Sequence, residues 1–213
     1  MRTTLTVTTP PAGEPVTVEM VKQHCRIDSN ADDLLLAGYL TAARVMAEDY
    51  LSRKLLTQTV LWTVRPASLF GLGTRLAHGA LELPRAPVQQ IVSVTAVDEW
   101  GNATAIPPAA LPLTPGTAIV GYVADLALEP ATLTIGADTV LVGGLPVHAT
   151  RLLHIQVSML AGYGAAASVP PTIAQAIMMT TAFLYEHRGD TDTAMPSAAE
   201  WLLNRDRLQF LGG

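Results

Sequence analysis

The stretch that decides the fold is ADDLLLAGYLTAARVMAEDYLSRK, residues 31–54, followed without a break by LLTQTVLWTV, residues 55–64. In the first part apolar residues recur every three or four positions. Leu36, Leu40, Ala43, Ala47 and Leu51 form one stripe, and Leu35, Tyr39, Met46 and Tyr50 widen it well beyond a single face. The spacing predicts one helix from Ala31 to Lys54, about 36 Å long at 1.5 Å per residue. Ser29 or Asn30 would cap it, with Asp32 and Asp33 in the first turn, where the helix dipole favours an anion. Thr41, Arg44, Glu48 and Ser52 are left as a polar strip and are expected to be solvated. A helix apolar over most of its circumference must bury more than one side.

At Leu55 the period becomes two. Leu56, Gln58, Val60, Trp62 and Val64 alternate with Leu55, Thr57, Thr59, Leu61 and Thr63, the pattern of a strand rich in β-branched residues. Downstream, Leu81 to Leu83 and Val88 to Val97 read as strands and Asp98 to Asn102 as a turn. Thr132 to Ile135 and Thr139 to Val142 are expected to form a hairpin around Gly136-Ala137-Asp138. A last strand carries Leu153, Ile155, Val157 and Met159 on one face. Upstream, the segment TTPPAGEP (Thr8 to Pro15) is extended and broken by proline, with regular structure expected only after it. Thr17 is placed to cap a short helix ending at Cys25. The chain closes with a helix from Pro171 to Arg188, with His187 in its last turn and Gly189 after it, and a shorter helix from Ser197, whose Glu200 completes a capping-box pattern.

Helices, then strands, then helices give an α+β fold: a small helical bundle, with a long central helix and a returning C-terminal one, interrupted by an antiparallel β subdomain. The expected division is residues 1–54 and 165–213 for the bundle and 55–164 for the insertion.

Charged residues make up only 15% of the chain, against roughly 25% in an average soluble protein. Centres of protein interfaces are depleted in charge, so such a surface suits burial against neighbours as well as it suits a neutral exposed coat. The net charge of −5 gives no basic footprint for gripping nucleic acid. A single cysteine, Cys25, excludes an intrachain disulfide framework and fits a buried structural thiol in a reducing compartment. No apolar run reaches membrane-spanning length and the start lacks a signal peptide's apolar segment, so a cytoplasmic protein is expected.

Catalytic and ligand motifs are sparse. Asp28-Ser29-Asn30-Ala31-Asp32 matches the opening of a calcium loop, but Asp33 stands where that loop needs glycine and Tyr39 where it needs a bidentate glutamate. Five histidines, His24, His78, His148, His154 and His187, have no partner at metal-ligand spacing. No nucleophile elbow or Cys-His signature is present. Glu48 and Asp49 are adjacent and point to different sides of a helix, so they make no carboxylate pair. Arg188-Gly189-Asp190 spells an adhesion tripeptide of the kind chance supplies. Gly162-Tyr163-Gly164 resembles the glycine-rich turn of a phosphate loop, yet no Lys follows, and Pro170 and Pro171 lack the N–H groups that would hold an anion. Those glycines are better read as a joint between strand and helix, with Pro171 in the first helical turn.

Taken in order, TPPAGEPVTVEMVKQHCRID, DDLLLAGYLTAARVMAEDYLSRKLLTQT, LPRAPVQQIVSVTAVDEWG and AGYGAAASVPPTIAQAIMMTTAFLYEHRGD resemble the head-tail connector (adaptor) family of tailed bacteriophages, in the branch with a β insertion also found in prophages and gene transfer agents. Cys25-Arg26, where members often have Leu-Arg, and a long region from Ala103 to Thr150 depart from the pattern. The resemblance implies a structural virion protein without catalytic activity, cofactor or metal. It implies a homo-oligomeric ring, usually a dodecamer, beneath the portal protein at the head-tail junction, assembled in the host cytoplasm. Such a ring extends the DNA channel and meets a stopper or tail-terminator protein; DNA passes without specific binding and no membrane is involved. Leu35, Tyr39, Met46 and Tyr50 become candidates for the ring interface. Trp201, Leu202, Leu203, Phe210 and Leu211 become candidates for docking on the portal, although Trp201 and Leu202 suit covering their own bundle equally well. Two other readings stand beside this one: a tail-completion protein, and a small cytoplasmic enzyme with a site assembled from His154, His78 and Asp98.

Overall fold

A computed structural model of the chain describes residues 3–65, 81–111, 120–136, 141–142, 145–146, 152–188 and 195–208. The described residues fall into two compact units, one of Pro11–Thr57 with Gly162–Leu211 and the other of Gln58–Ala161 with Met1–Pro10. The fold is α+β, four helices with antiparallel sheets among the described residues.

The helical unit contains α1 (Val18–Cys25), α2 (Asp33–Leu51), α3 (Pro171–Glu186) and α4 (Ser197–Asn204). The Thr17 hydroxyl caps α1 by accepting the Met20 N–H at 3.2 Å. Leu36, Leu40, Ala43, Ala47 and Leu51 of α2 are all buried, as their spacing requires, and pack with Ile173, Ala176 and Ile177 of α3 and Leu203 of α4 in one core. Alanines at 43, 47 and 176 keep the side chains between helices short, which lets backbones approach closely. On α3, Thr180 and Thr181 are buried, and each hydroxyl donates to the carbonyl four residues back, on Ala176 and Ile177, at 2.8 Å.

Four helix ends differ from expectation. Helix α2 starts at Asp33 and has Asp32 at its N-cap with no side-chain cap bond. Ser29 instead accepts the Ala31 N–H, and Asn30 and Asp33 are both taken by Lys22 of α1. It ends at Leu51 rather than Lys54, because Ser52 adopts the left-handed conformation at φ 55 and closes the helix. At α4 no capping box forms: Ser197 already lies in the first turn, and the Pro196 carbonyl accepts the N–H groups of Ala199 and Glu200. Helix α3 stops at Glu186, and Gly189 lies outside the described residues.

The β unit contains β1 (Thr3–Thr9), β2 (Gln58–Val64), β3 (Leu81–Glu82), β4 (Val88–Asp98), β5 (Ala103–Ile106), β6 (Tyr122–Asp125), β7 (Thr132–Ile135), β8 (Leu141–Val142), β9 (Leu145–Pro146) and β10 (Leu152–Ala161). An antiparallel sheet runs β1-β2-β10-β4-β5, beside a three-stranded sheet β3-β7-β6 and the pair β8-β9. Alternation on β2 buries Gln58, Val60, Trp62 and Val64. Across the register, Met159 of β10 stands opposite Val60 of β2 and Ile91 of β4. Val60, Trp62, Val94, Val157 and Met159 form the core with Leu81, Leu83 and Leu133.

Two expectations are corrected here. Among the described residues, regular structure begins with β1, ahead of the proline-broken segment, because Thr3–Thr9 is β-branched at every position but Leu5 and pairs along β2. Strand β7 is flanked by β3 and β6, so it does not form a hairpin with the segment after it; Leu141–Val142 pairs with Leu145–Pro146.

Candidate functional site

The polar strip of α2 is the first surprise of the chemistry. Glu48, expected in solvent, is 0% exposed, and Arg44 is buried with it. The Glu48 carboxylate accepts from Lys54 Nζ at 2.6 Å and from the Leu55 backbone N–H at 3.2 Å, with Arg44 Nη1 at 3.3 Å. Arg44 Nε in turn donates to Glu14 at 2.7 Å, and Glu14 also accepts from Thr41 at 2.8 Å. Neighbouring Arg53 donates to the Asp206 carbonyl at 2.6 Å, and the Leu208 N–H donates to the Leu51 carbonyl at 2.9 Å. A paired and hydrogen-bonded buried charge survives desolvation; an unpaired one does not. This cluster ties the lead-in, the end of α2 and the segment after α4 to one another.

With polar residues turned inward, apolar ones are left outside. Leu34 is 91% exposed and Val45 43%, and Gly38 and Ala42 lie exposed between them, so Leu34, Gly38, Ala42 and Val45 line one face of α2 at helical spacing. The candidates Leu35, Tyr39, Met46 and Tyr50 run beside this face: Leu35 is exposed and the other three are half-buried. Tyr50 has an internal task as well, carrying the Arg207 guanidinium 5.0 Å from its ring centroid. Nothing in the local pattern marks Leu34 as outward, because it sits in the run Leu34-Leu35-Leu36, of which only Leu36 is buried.

On α4, Trp201 stands 78% exposed. Leu202 is half-buried and packs against the bundle core, whereas Leu203 is fully buried inside it and is closed to a partner. Phe210 and Leu211 lie outside the described residues.

Of the residues considered for an enzymatic site, Asp98 and His154 are engaged elsewhere. The Asp98 carboxylate accepts from the N–H groups of Trp100 at 3.0 Å and Asn102 at 2.8 Å and from the Asn102 side chain at 2.9 Å. Those hydrogen bonds, the Asn102 side chain first, hold it below the usual carboxylate range. It staples the turn between β4 and β5, at whose tip Trp100 is exposed. His154 shares a hydrogen bond of 3.1 Å with Gln156, and His78 lies outside the described residues. His187 stacks on Phe183 at 4.2 Å. Cys25 is half-buried rather than fully so, and burial, aided by the nearby Glu186 charge, pushes its thiol up and away from the reactive thiolate.

In the calcium-like segment Asp32 accepts the Tyr185 hydroxyl at 2.5 Å, and among the described residues no three His, Cys, Asp or Glu converge on a common point. Arg188 lies 4.5 Å over the Tyr185 ring, and the rest of its tripeptide lies outside the described residues. Nor, among them, is any helix long and apolar enough to cross a membrane.

The glycine turn is mechanical. Gly162 has φ 129, and a Cβ there would overlap the backbone carbonyl of Leu56. The Tyr163 N–H donates to the Leu55 carbonyl at 3.0 Å and the Thr57 N–H to the Gly164 carbonyl at 3.1 Å. The chain thus leaves the helical unit and re-enters it along two stitched segments, and Pro171 opens α3.

Residues 15–98, from ahead of α1 to the end of β4, match the family model described as "Phage gp6-like head-tail connector protein". The chain is similar in fold to a chain of the virion of a native gene transfer agent particle, with 24% identity, 98% of each chain covered and a TM-score of 0.65. It is likewise similar to chains from the neck of the native particle computed with C12 symmetry and of the empty particle computed with C6 symmetry. Both are 22% identical with TM-scores of 0.65, covering 100% and 99% of this chain and 99% and 98% of theirs. No curated protein matches this sequence.

Proposed function

We propose that the chain is a head-tail connector subunit: copies form a ring, twelve in number, below a portal protein, extend the DNA channel, and present a platform to a stopper or tail-terminator protein. The observation that carries this reading is the end-to-end likeness of fold to neck chains, with nothing of appreciable length left over on either side. The helical unit is the connector core and the β unit its insertion. The outward face of α2, Leu34, Gly38, Ala42 and Val45 with Leu35, Tyr39 and Met46 beside it, is the surface offered to the neighbouring subunit, and exposed Trp201 the anchor offered to the portal. A net charge of −5 suits a channel through which DNA slides, since each basic contact to phosphate would add salt-dependent grip. The subunit would be made in the host cytoplasm and end in the particle at the head-tail junction.

Mass measurement and electron microscopy of the chain with and without a portal protein test the reading. Rings of a single size are expected; a monomer that stays monomeric in both conditions overturns it.

A further inference from the structure

The five-stranded sheet ends on one side in β1, whose residues Thr3–Thr9 read Thr-Thr-Leu-Thr-Val-Thr-Thr. Exposed edge strands are ordinarily guarded by Lys, Pro, inward charges or bulges, because their free N–H and C=O groups are a template for another strand. Here no residue from Thr3 to Thr9 is charged or proline, and all but Leu5 are exposed. The inner edge is used by β2, from Thr3 opposite Val64 to Val7 opposite Val60, and among the described residues no strand pairs with the outer edge. A bulge at Thr8, whose hydroxyl donates to the Thr59 carbonyl at 3.2 Å, guards only the far end and leaves Thr3 to Val7 in regular register.

The strand also reads alike in both directions about Thr6. Laid antiparallel against a second copy of itself about Thr6, it sets Leu5 opposite Val7 and Thr6 opposite Thr6 within the regular stretch, while Thr3 and Thr4 run out towards the other copy's bulged end at Thr8 and Thr9. Thr–Thr and aliphatic pairs are favourable cross-strand neighbours, and no like charges meet. Leu5 packs against the sheet's core cluster, and Val7, two residues on, shares its face. The pairing therefore continues that apolar stripe from one copy into the next.

We propose that the free chain self-associates through β1, a second copy adding its own β1 antiparallel at the outer edge so that two five-stranded sheets become one of ten strands. The contact is two-fold and closes on itself, so it stops at two copies. It goes beyond the ring reading and does not depend on it: a two-fold axis inverts the second copy, whereas all subunits of a cyclic ring point the same way. The β1 pair is thus a state of the chain outside a ring. A strand pair of this length buries less than a standard interface, so the association is weak, with a dissociation constant in roughly the micromolar to millimolar range.

Thr6 lies on the two-fold axis and is exposed, so its substitution tests the contact without touching a core. Sedimentation velocity of the full chain at up to about 1 mM should show monomer and dimer in exchange. Thr6→Lys and Thr6→Glu, each placing like charges opposite one another, should each raise the dissociation constant about tenfold or more while melting like the parent. An equimolar mixture of the two should dimerise again, because Lys then faces Glu. A parent chain that shows no dimer, a Thr6→Lys chain that dimerises as well as the parent, or a mixture that does not recover association overturns the proposal. Rings built through α2 would persist in Thr6→Lys, so the loss of this contact and a failure of the ring reading are seen in different species.

Discussion

At Glu48 the chain places a carboxylate where a Leu would have been the simpler choice, and holds it with Lys54, Arg44 and the Leu55 N–H. Removing one partner of such a set strands the others in a place water does not reach. Glu48→Ala should therefore destabilise the protein by about 3–5 kcal/mol, read from the midpoint of denaturant unfolding. Gly162→Ala should also be costly, by about 2 kcal/mol or more, since the new Cβ meets the rigid Leu56 carbonyl at a positive φ; a loss below about 0.5 kcal/mol would show that the joint yields. Asp98 predicts a pH dependence. Its folded pKa is depressed, so its stabilisation is complete above the unfolded value of about 3.9 and is lost as pH falls through the lower folded value. The difference in melting temperature between the parent and Asp98→Asn should shrink across that acid window, and a difference that stays constant would refute the assignment.

Helix α2 shows how far the residues of an element reveal its setting. Its period, its buried stripe and the change of period near Leu55 are all present in the sequence, because burial of one face imposes a repeat that propensity alone does not. Two members of its polar strip, Arg44 and Glu48, are buried rather than solvated, while Thr41 stays exposed. Nothing local distinguishes a solvated Glu48 from a buried one, since the distinction rests on Lys54 folding back after the helix has ended and on Glu14, 30 residues before Arg44, reaching it. The caps at Ser29 and Ser197 failed for a similar reason, Ser29 being drawn into a turn of its own and Ser197 having passed inside the helix. In the proposed ring, the outward apolar face of α2 is where the element meets its neighbour. Leu34→Asp combined with Val45→Asp should change stability by little more than about 0.5 kcal/mol, as surface substitutions do, and still abolish ring formation in size-resolved mass measurement. Trp201→Ala should leave both fold and ring unchanged and weaken portal binding by about tenfold or more in a pull-down or calorimetric titration.

For the molecule as a whole, sparse charge and a net charge of −5 govern what it can hold. Anisotropy of a labelled DNA duplex should show no binding at physiological salt and almost no slope against salt concentration; a steep slope would mean basic contacts and contradict a passive channel. The α+β plan was legible because two hydrophobic periods succeed one another in a single continuous stretch. The opening strand was not, because the alternation of Thr3–Thr9 carries only two aliphatic residues, and its place in the sheet depends on a partner more than fifty residues away. Of the residues expected at the docking surface, Trp201 is exposed and Leu203 is spent on the core, a difference their neighbouring positions in the sequence do not signal.

The stitched pair Leu55–Thr57 and Tyr163–Gly164 has a use in engineering. Hydrogen-bonded chains lie about 5 Å apart, so everything between them is spliced in at what is nearly a single point of the helical unit. A foreign domain with neighbouring termini could be grafted there in exchange, provided that the graft also replaces Thr3–Thr9, which would otherwise be left as a strand without its sheet. Such a chimera would turn the helical unit into a carrier for cargo of choice.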